Sequence, residues 1–262
     1  MKEFPKHPNL TDRQQVILEL ARLEGRVLVE PLAEELKVTP QTIRRDLTEL
    51  CRIRLLHRVH GGAIASDGIE NMGYEARKHM SIDSKVSIGQ CAAELIPNDS
   101  SLFINIGTTT EQVAEHLIEH FGLLVITNNL NVVNILRRVE SVQVMTAGGV
   151  VRGEDGGIVG ESASKFIDQF KLDFAVIGVS AIEEDGAILD FDNREVCVTQ
   201  AIIRNSRTVI LVADEVKFSR KAPVRVCNIA DIDYFITDNP PPEKFMKVCK
   251  HNDVVVKTTA SL

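Results

Sequence analysis

The sequence predicts an α/β chain in two domains: a small winged helical module, then a larger, doubly wound, mostly parallel sheet. Three observations predict it. Residues 1–65 hold three short helical periodicities followed by a strand-turn segment. From residue 86 onward, continuous apolar strands such as "LLVIT", "FAVIGV" and "TVILVA" alternate with helical stretches, the pattern of strands buried on both faces. The charge is also split. Residues 1–65 carry 11 Lys/Arg against 9 Asp/Glu, a net of +2, whereas the remainder carries 19 against 28, a net of −9. A basic module tethered to an acidic body points to a local polyanion contact.

At 262 residues, with 44% hydrophobic and 26% charged residues, the chain suits a soluble protein with a real core. The opening "MKEFPKHPNLTDRQ" has no apolar segment of signal-peptide type. No apolar run approaches the roughly 18 residues of a membrane span, so a cytoplasmic protein is expected. Cys51, Cys91, Cys197, Cys227 and Cys249 are scattered without a CxxC or metal-ligand spacing, which predicts reduced thiols and no metal. No GxGxxG follows a strand and no GxxxxGK[ST] occurs, which disfavours dinucleotides and nucleoside triphosphates. No cofactor is expected.

In the first module, Thr11 and Gln14 have the spacing of a capping box. Val16, Ile17, Leu20 and Leu23 then mark one helix face, and Gly25 ends the run. "VEPLAEEL" reads as a second helix with Leu32, Ala33 and Leu36 inward. Thr39 caps a third, whose first position suits Pro40 because no N–H is needed there. Ile43, Leu47 and Leu50 form its buried stripe, leaving Gln41, Thr42, Arg44, Arg45 and Thr48 outside. Within Lys37–His60 there are six basic residues and two acidic ones. Three short helices, the last presenting polar and basic side chains, fit a helix-turn-helix reader of the major groove. "LLHRVHGGA" follows as a wing, with Arg58 and His60 placed for backbone or minor groove. Thr39, Gln41, Thr42, Arg44, Arg45, Arg58 and His60 are thus the expected contacts to double-stranded operator DNA. The plainer alternative makes Arg44 and Arg45 part of a solvated helix face.

"VTPQTIRRDLTEL" followed by "HRVHGGA" resembles the N-terminal signature of the DeoR family of bacterial repressors. The resemblance implies that Thr39–Leu50 is the recognition helix and "RVHGG" the wing. Where members often turn with Gly or Asn, this chain reads "CRIRLL", with Arg54, a departure that bears on the helix end and wing angle.

"SDGIENMGYEARKHMSIDSK", residues 66–85, is polar with little apolar periodicity and reads as a linker before an effector domain at 86–262. The resemblance continues through it and implies that Arg77 and Lys85 fix the linker on the second domain. In that domain, small polar motifs fall where strands end, the ligand edge of such sheets. Gly107, Thr108, Thr109 and Thr110 open a helix whose unpaired N–H groups favour phosphate. Asn128 and Asn129 follow the next strand with amides suited to hydroxyls. Gly148 and Gly149 let backbone approach closely, beside Arg152. "ADEVKF" puts Asp214 and Lys217 after a later strand, and Lys217 is a candidate counter-charge. Singly, each is ordinary loop chemistry; four at one edge make a pocket.

The resemblance covers this half as well. It implies kinship with the sugar-phosphate isomerase fold and a phosphate loop of the form D/N-x-G-T-T, in which Asn105 replaces the more usual Asp. "TNNLNVVNIL", "DGGIVGE", "FIDQFKLDFAVIGVSAI" and "EVCVTQAIIRNSR" resemble family members that respond to glycerol 3-phosphate. They imply that metabolite as inducer, with Gly107–Thr110 on its phosphate and Asn128, Asn129, Asp185 or Lys217 near the polyol.

Residue types alone leave an enzyme open. An isomerase must move a proton, and Asp185, Asp190, Asp192 and Glu195 are candidates, with Lys217 to steady an enolate. Asp192 and Asn193 equally suit the start of a helix. A fused DNA reader makes catalysis superfluous, and a purely architectural DNA protein leaves the pocket unexplained. The expected protein is a non-enzymatic repressor, a dimer or tetramer, released from DNA by a phosphorylated inducer.

Overall fold

The computed structural model describes residues 10–24, 26–53, 55–59, 61–65 and 73–260. The expectations for Gly25, Arg54 and His60 lie outside them. Two compact units emerge, Met1–Met80 and Ser81–Leu262.

The first unit comprises α1 (Asp12–Glu24), β1 (Arg26–Leu28), α2 (Val29–Glu35), α3 (Pro40–Arg52), β2 (Leu56–Val59) and β3 (Gly62–Ala65). The capping box forms: Thr11 N donates to Gln14 Oε1 at 3.1 Å, and Gln14 N to Thr11 Oγ1 at 3.3 Å. Ile17, Leu18 and Ala21 pack inward against Leu32, Ala33, Ile43, Leu47, Leu50 and Leu56. Val16 is exposed instead, because the inward stripe runs through Ile17, Leu18 and Ala21. The strands form an antiparallel sheet in the order β1-β3-β2. At Gly62 an added Cβ would lie 2.0 Å from the Val27 carbonyl oxygen, so only glycine lets the wing pass β1. The polar stretch read as a linker holds helix α4 (Tyr74–His79), and its last residues belong to α5 (Ile82–Ala93). Arg77, Lys78 and His79 in the last turn of α4 complement its dipole, support that apolar periodicity does not reveal.

The second unit continues with β4 (Ser101–Ile104), α6 (Thr108–His116), β5 (Leu123–Thr127), α7 (Leu130–Leu136), β6 (Val142–Thr146), β7 (Val150–Val151), β8 (Ile158–Val159) and α8 (Glu161–Ile167). Then come β9 (Leu172–Ile177), β10 (Ala181–Ile182), β11 (Ala187–Asp190), α9 (Asn193–Arg204), β12 (Ser206–Val212), β13 (Val224–Asn228), β14 (Tyr234–Thr237), α10 (Glu243–His251) and β15 (Val255–Thr258). The main sheet has the order β6-β5-β4-β9-β12-β14-β15, every pair parallel. Alternate residues face opposite cores. Leu102, Ile104, Val176, Ile210 and Ile236 meet α5, α6 and α7. Phe103, Ala175, Ile177, Leu211 and Phe235 meet α8, α9 and α10. Each of the larger side chains contributes about 1.5–3 kcal/mol of burial, which explains runs of apolar residues without polar alternation.

From β4 the chain winds outward through β5 and β6. From β9 it winds the other way through β12, β14 and β15. The order therefore reverses between β4 and β9, and the ligand crevice of such a sheet lies beyond their carboxyl ends.

Candidate functional site

On the first unit, α3 presents the expected surface. Gln41, Arg44 and Arg45 are exposed, and with Gln14, Asp46, Thr48 and Glu49 they line a groove of about 610 Å³. Thr39 and Thr42 are occupied in building the helix start. The Thr39 hydroxyl accepts from Thr42 N at 3.2 Å, and the two hydroxyls pair at 2.9 Å. Arg44 meets Glu30 at 3.1 Å, but with half or more of each side chain in solvent that pair is worth at most about 1 kcal/mol. Arg45 has no ion pair among the described residues, and Arg58 is exposed on β2.

On the second unit, the loop leaving β4 is braced from within. Thr110 is fully buried, and its hydroxyl donates to Asn105 O at 2.9 Å and Gly107 O at 2.8 Å. A Cβ on Gly107 would come within 3.2 Å of that hydroxyl. Asn105 joins the two switch strands: its Nδ2 donates to Gly178 O at 3.1 Å, and its Oδ1 accepts from Gly178 N at 2.9 Å. An amide does both and a carboxylate only the second, so Asn105 is a strap rather than a ligand group. Gly107 then starts α6 without a side-chain cap. The first amides of a helix have no partner within it, and those of Thr108 and Thr109 lie at the carboxyl end of β4.

The neighbouring loops satisfy most of their own polar groups. Asn129 caps α7 through Asn131 N at 2.9 Å, and Asn129 and Asn131 both donate to Glu111 Oε1, at 3.1 and 2.9 Å. Asn128 Nδ2 donates to Ile158 O at 3.0 Å, while its buried Oδ1 finds no partner among the described residues. Gly148 and Gly149 carry the chain from β6 into β7, and an added Cβ on Gly149 would come within 3.1 Å of Ile158. Arg152 is committed: it reaches Asp155 and Glu195 at 2.7 Å and Asp192 at 3.2 Å. Burial works against its charge, but hydrogen bonds and attraction from Asp155 and Glu195 overcompensate and hold the guanidinium charged. The Asp192 carboxyl is drawn below its ordinary range, first by its hydrogen bond from Arg194, despite partial burial.

Across the crevice the balance differs. After β9, Ser180 donates to Asp190 Oδ1 at 2.8 Å. After β12, Asp214 is 1% exposed, and neither carboxylate oxygen has a hydrogen-bond partner among the described residues. Lys217 is half-buried in the following turn. Lys85, 2% exposed, lies in the first turn of α5; that helix leads into the amino end of β4, so its start is at the crevice end. Sequence reasoning gave Lys85 to a linker and assigned Ser180 no role. Their signals were a lysine at a helix start and a "GVS" ending the "FAVI" strand.

Asp185 is not brought to this crevice. It lies exposed at the tip of the β10–β11 hairpin, where its carboxylate accepts from Ala187 N at 3.0 Å. The adjacent Gly186 carbonyl accepts from Ile229 N, ahead of β14, at the opposite end of the small sheet from Ser180 and Asp190. The motif looked like part of a strand-end loop because two-residue strands such as β10 carry too little pattern to be seen.

Residues 13–68 match the DeoR-like helix-turn-helix domain, and residues 80–239 match the DeoR C terminal sensor domain. The chain belongs to the DeoR family. The glycerol-3-phosphate regulon repressor of Escherichia coli (strain K12) is 47% identical over 238 residues, 91% of this chain and 94% of that protein. The repressor of the same name from Haemophilus influenzae is 47% identical over 229 residues, 87% and 89% of the two chains. The HTH-type transcriptional repressor CsqR of E. coli is 38% identical over 230 residues, 88% of each. A ribose 5-phosphate isomerase A from Methanocaldococcus jannaschii overlays on 52% of this chain and 54% of its own, with TM-score 0.39 and 14% identity, too loose a likeness to argue from. This DeoR-family chain is a DNA-binding regulator with a small-molecule sensor domain, not an enzyme. No helix among its described residues is long and apolar enough to cross a membrane.

Proposed function

We propose that the chain is a cytoplasmic repressor that leaves its operator when glycerol 3-phosphate fills the crevice at the β4/β9 switch. What supports the reading is an uncapped helix start after β4, with the amides of Thr108 and Thr109, together with buried acceptors after β12 and β5, on Asp214 and Asn128, that have no hydrogen-bond partner among the described residues. Amides suit a phosphate, and acceptors suit the hydroxyls of a polyol. Lys217 and Lys85 lie toward the same sheet end and carry positive charge, and Arg152 is held by Asp155, Asp192 and Glu195. The names of the two 47%-identical relatives point to the same metabolite.

Gln41, Arg44 and Arg45 grip the major groove, and Arg58 touches the backbone from the wing. A homo-oligomer, dimer or tetramer, holds two or more modules on repeated half-sites, and the inducer favours an arrangement that no longer fits them. Calorimetric titration with glycerol 3-phosphate, glycerol, inorganic phosphate and ribose 5-phosphate, followed by release of the chain from DNA, tests this. Glycerol 3-phosphate should bind tightest and release DNA. A tighter competitor, or binding without release, overturns it.

A further inference from the structure

The reading of the first unit as a DNA module leaves the pair of Arg13 and Asp46 without a duty. Asp46 faces the interior side of α3, only 8% of its side chain exposed, in the stretch that otherwise buries Ile43, Leu47 and Leu50. There it takes a fork from α1: Arg13 Nε donates to Oδ2 at 2.6 Å and Nη2 to Oδ1 at 3.3 Å, while Gln14 Nε2 adds a contact at 3.4 Å. A carboxylate in this place is a poor choice for stability alone. Its desolvation cancels much of the attraction, and an apolar residue of similar size does as well. What the pair supplies is direction. Two points of attachment fix the plane of the guanidinium, and no other partner for its remaining N–H groups occurs among the described residues. Arg13 is 39% exposed, and Asp46 lines the same groove as Gln41, Arg44, Arg45 and Thr48.

The geometry points to Arg13 as a contact to the DNA backbone from outside the recognition helix, aimed by Asp46 as its positioning residue. The phosphate sits on the outward edge of the guanidinium, and Asp46 holds the inward edge. The inference rests on the DNA-binding reading, and the test separates the two.

The full-length chain is used to select a duplex from a random-sequence library, and binding to it is measured from 50 to 300 mM salt. If the wild-type chain selects nothing, the DNA reading fails and this inference with it. Given wild-type binding, Arg13→Gln should weaken it roughly tenfold and shallow the salt slope by about 0.9, the share of one phosphate contact. Arg13→Lys keeps the charge but not the fork, so it should keep the slope and lose affinity severalfold. Asp46→Asn should weaken binding in Arg13 chains and add little to Arg13→Gln. A wild-type slope in Arg13→Gln overturns the contact. Full affinity in Arg13→Lys, or additive losses in the double variant, overturns the positioning role. Should Asp46→Asn not fold, the two Arg13 variants decide, because a partly exposed side chain can be exchanged without loss of the core.

Discussion

The two flanks of the crevice are built from similar residues and differ in what they leave unpaired. After β5 and β6, Asn129, Asn131 and Arg152 bond to Glu111 of α6, to Asp155, and to Asp192 and Glu195 at the start of α9, while Asn128 Oδ1 is left without a partner among the described residues. On the β4–β9–β12 flank, α6 begins without a cap, and Asp214 keeps both oxygens without hydrogen-bond partners among the described residues. Under the proposed function, completeness of hydrogen bonding rather than charge density separates scaffold groups such as Arg152 from ligand groups such as Asp214 and Asn128. The most conspicuous cation in the sequence, Arg152, lies on the scaffold side.

The sharpest test of that contrast is Arg152→Gln. It removes the bonds from Arg152 to Asp155, Asp192 and Glu195, leaving Asp192 with Arg194, and should cost about 3 kcal/mol in urea unfolding. Inducer affinity, measured where the variant is folded, should fall by much less than stability does. A stable variant that has lost the inducer would move Arg152 to the binding wall. Next in size is Thr109→Asp, which sets a carboxylate against the incoming phosphate and should weaken glycerol 3-phosphate roughly a hundredfold in calorimetry. Operator binding should be unchanged.

Asp214→Asn should act in opposite directions on two readouts. Replacing a buried carboxylate that has no hydrogen-bond partner among the described residues should raise the melting temperature of the free chain by about 3 °C, while inducer affinity drops roughly tenfold. A fall in melting temperature would make Asp214 a scaffold residue. The smallest effect concerns Asp173, whose carboxyl is held below its ordinary range, first by the Ser101 hydroxyl at 2.6 Å. A depressed carboxyl adds stability above its unfolded value, about 3.9, and loses it as pH falls through the lower folded value. Ser101→Ala should therefore lower stability at pH 7 by less than about 1 kcal/mol and shallow the decline below pH 4.

Elements with strong local patterning were legible before any coordinates. The Thr11–Gln14 box, the Ile43–Leu47–Leu50 stripe and the parallel strands each rest on spacing within a dozen residues. What escaped rests on distant partners. The antiparallel β10-β11-β13 sheet has one strand of only two residues and joins segments some forty residues apart. Asp185 was misjudged because a hairpin tip and a strand-end loop share the same composition. Whether Asp214 or Arg152 is satisfied depends on side chains that fold in from other loops, which no reading of its own segment reveals.

The strap from Asn105 to Gly178 spans 73 residues of chain. During synthesis, the loop after β4 thus leaves the ribosome well before its closing partner exists. The sensor domain is completed late, when β9 slots in beside β4, and a polypeptide interrupted earlier carries the helix-turn-helix unit without a finished sensor.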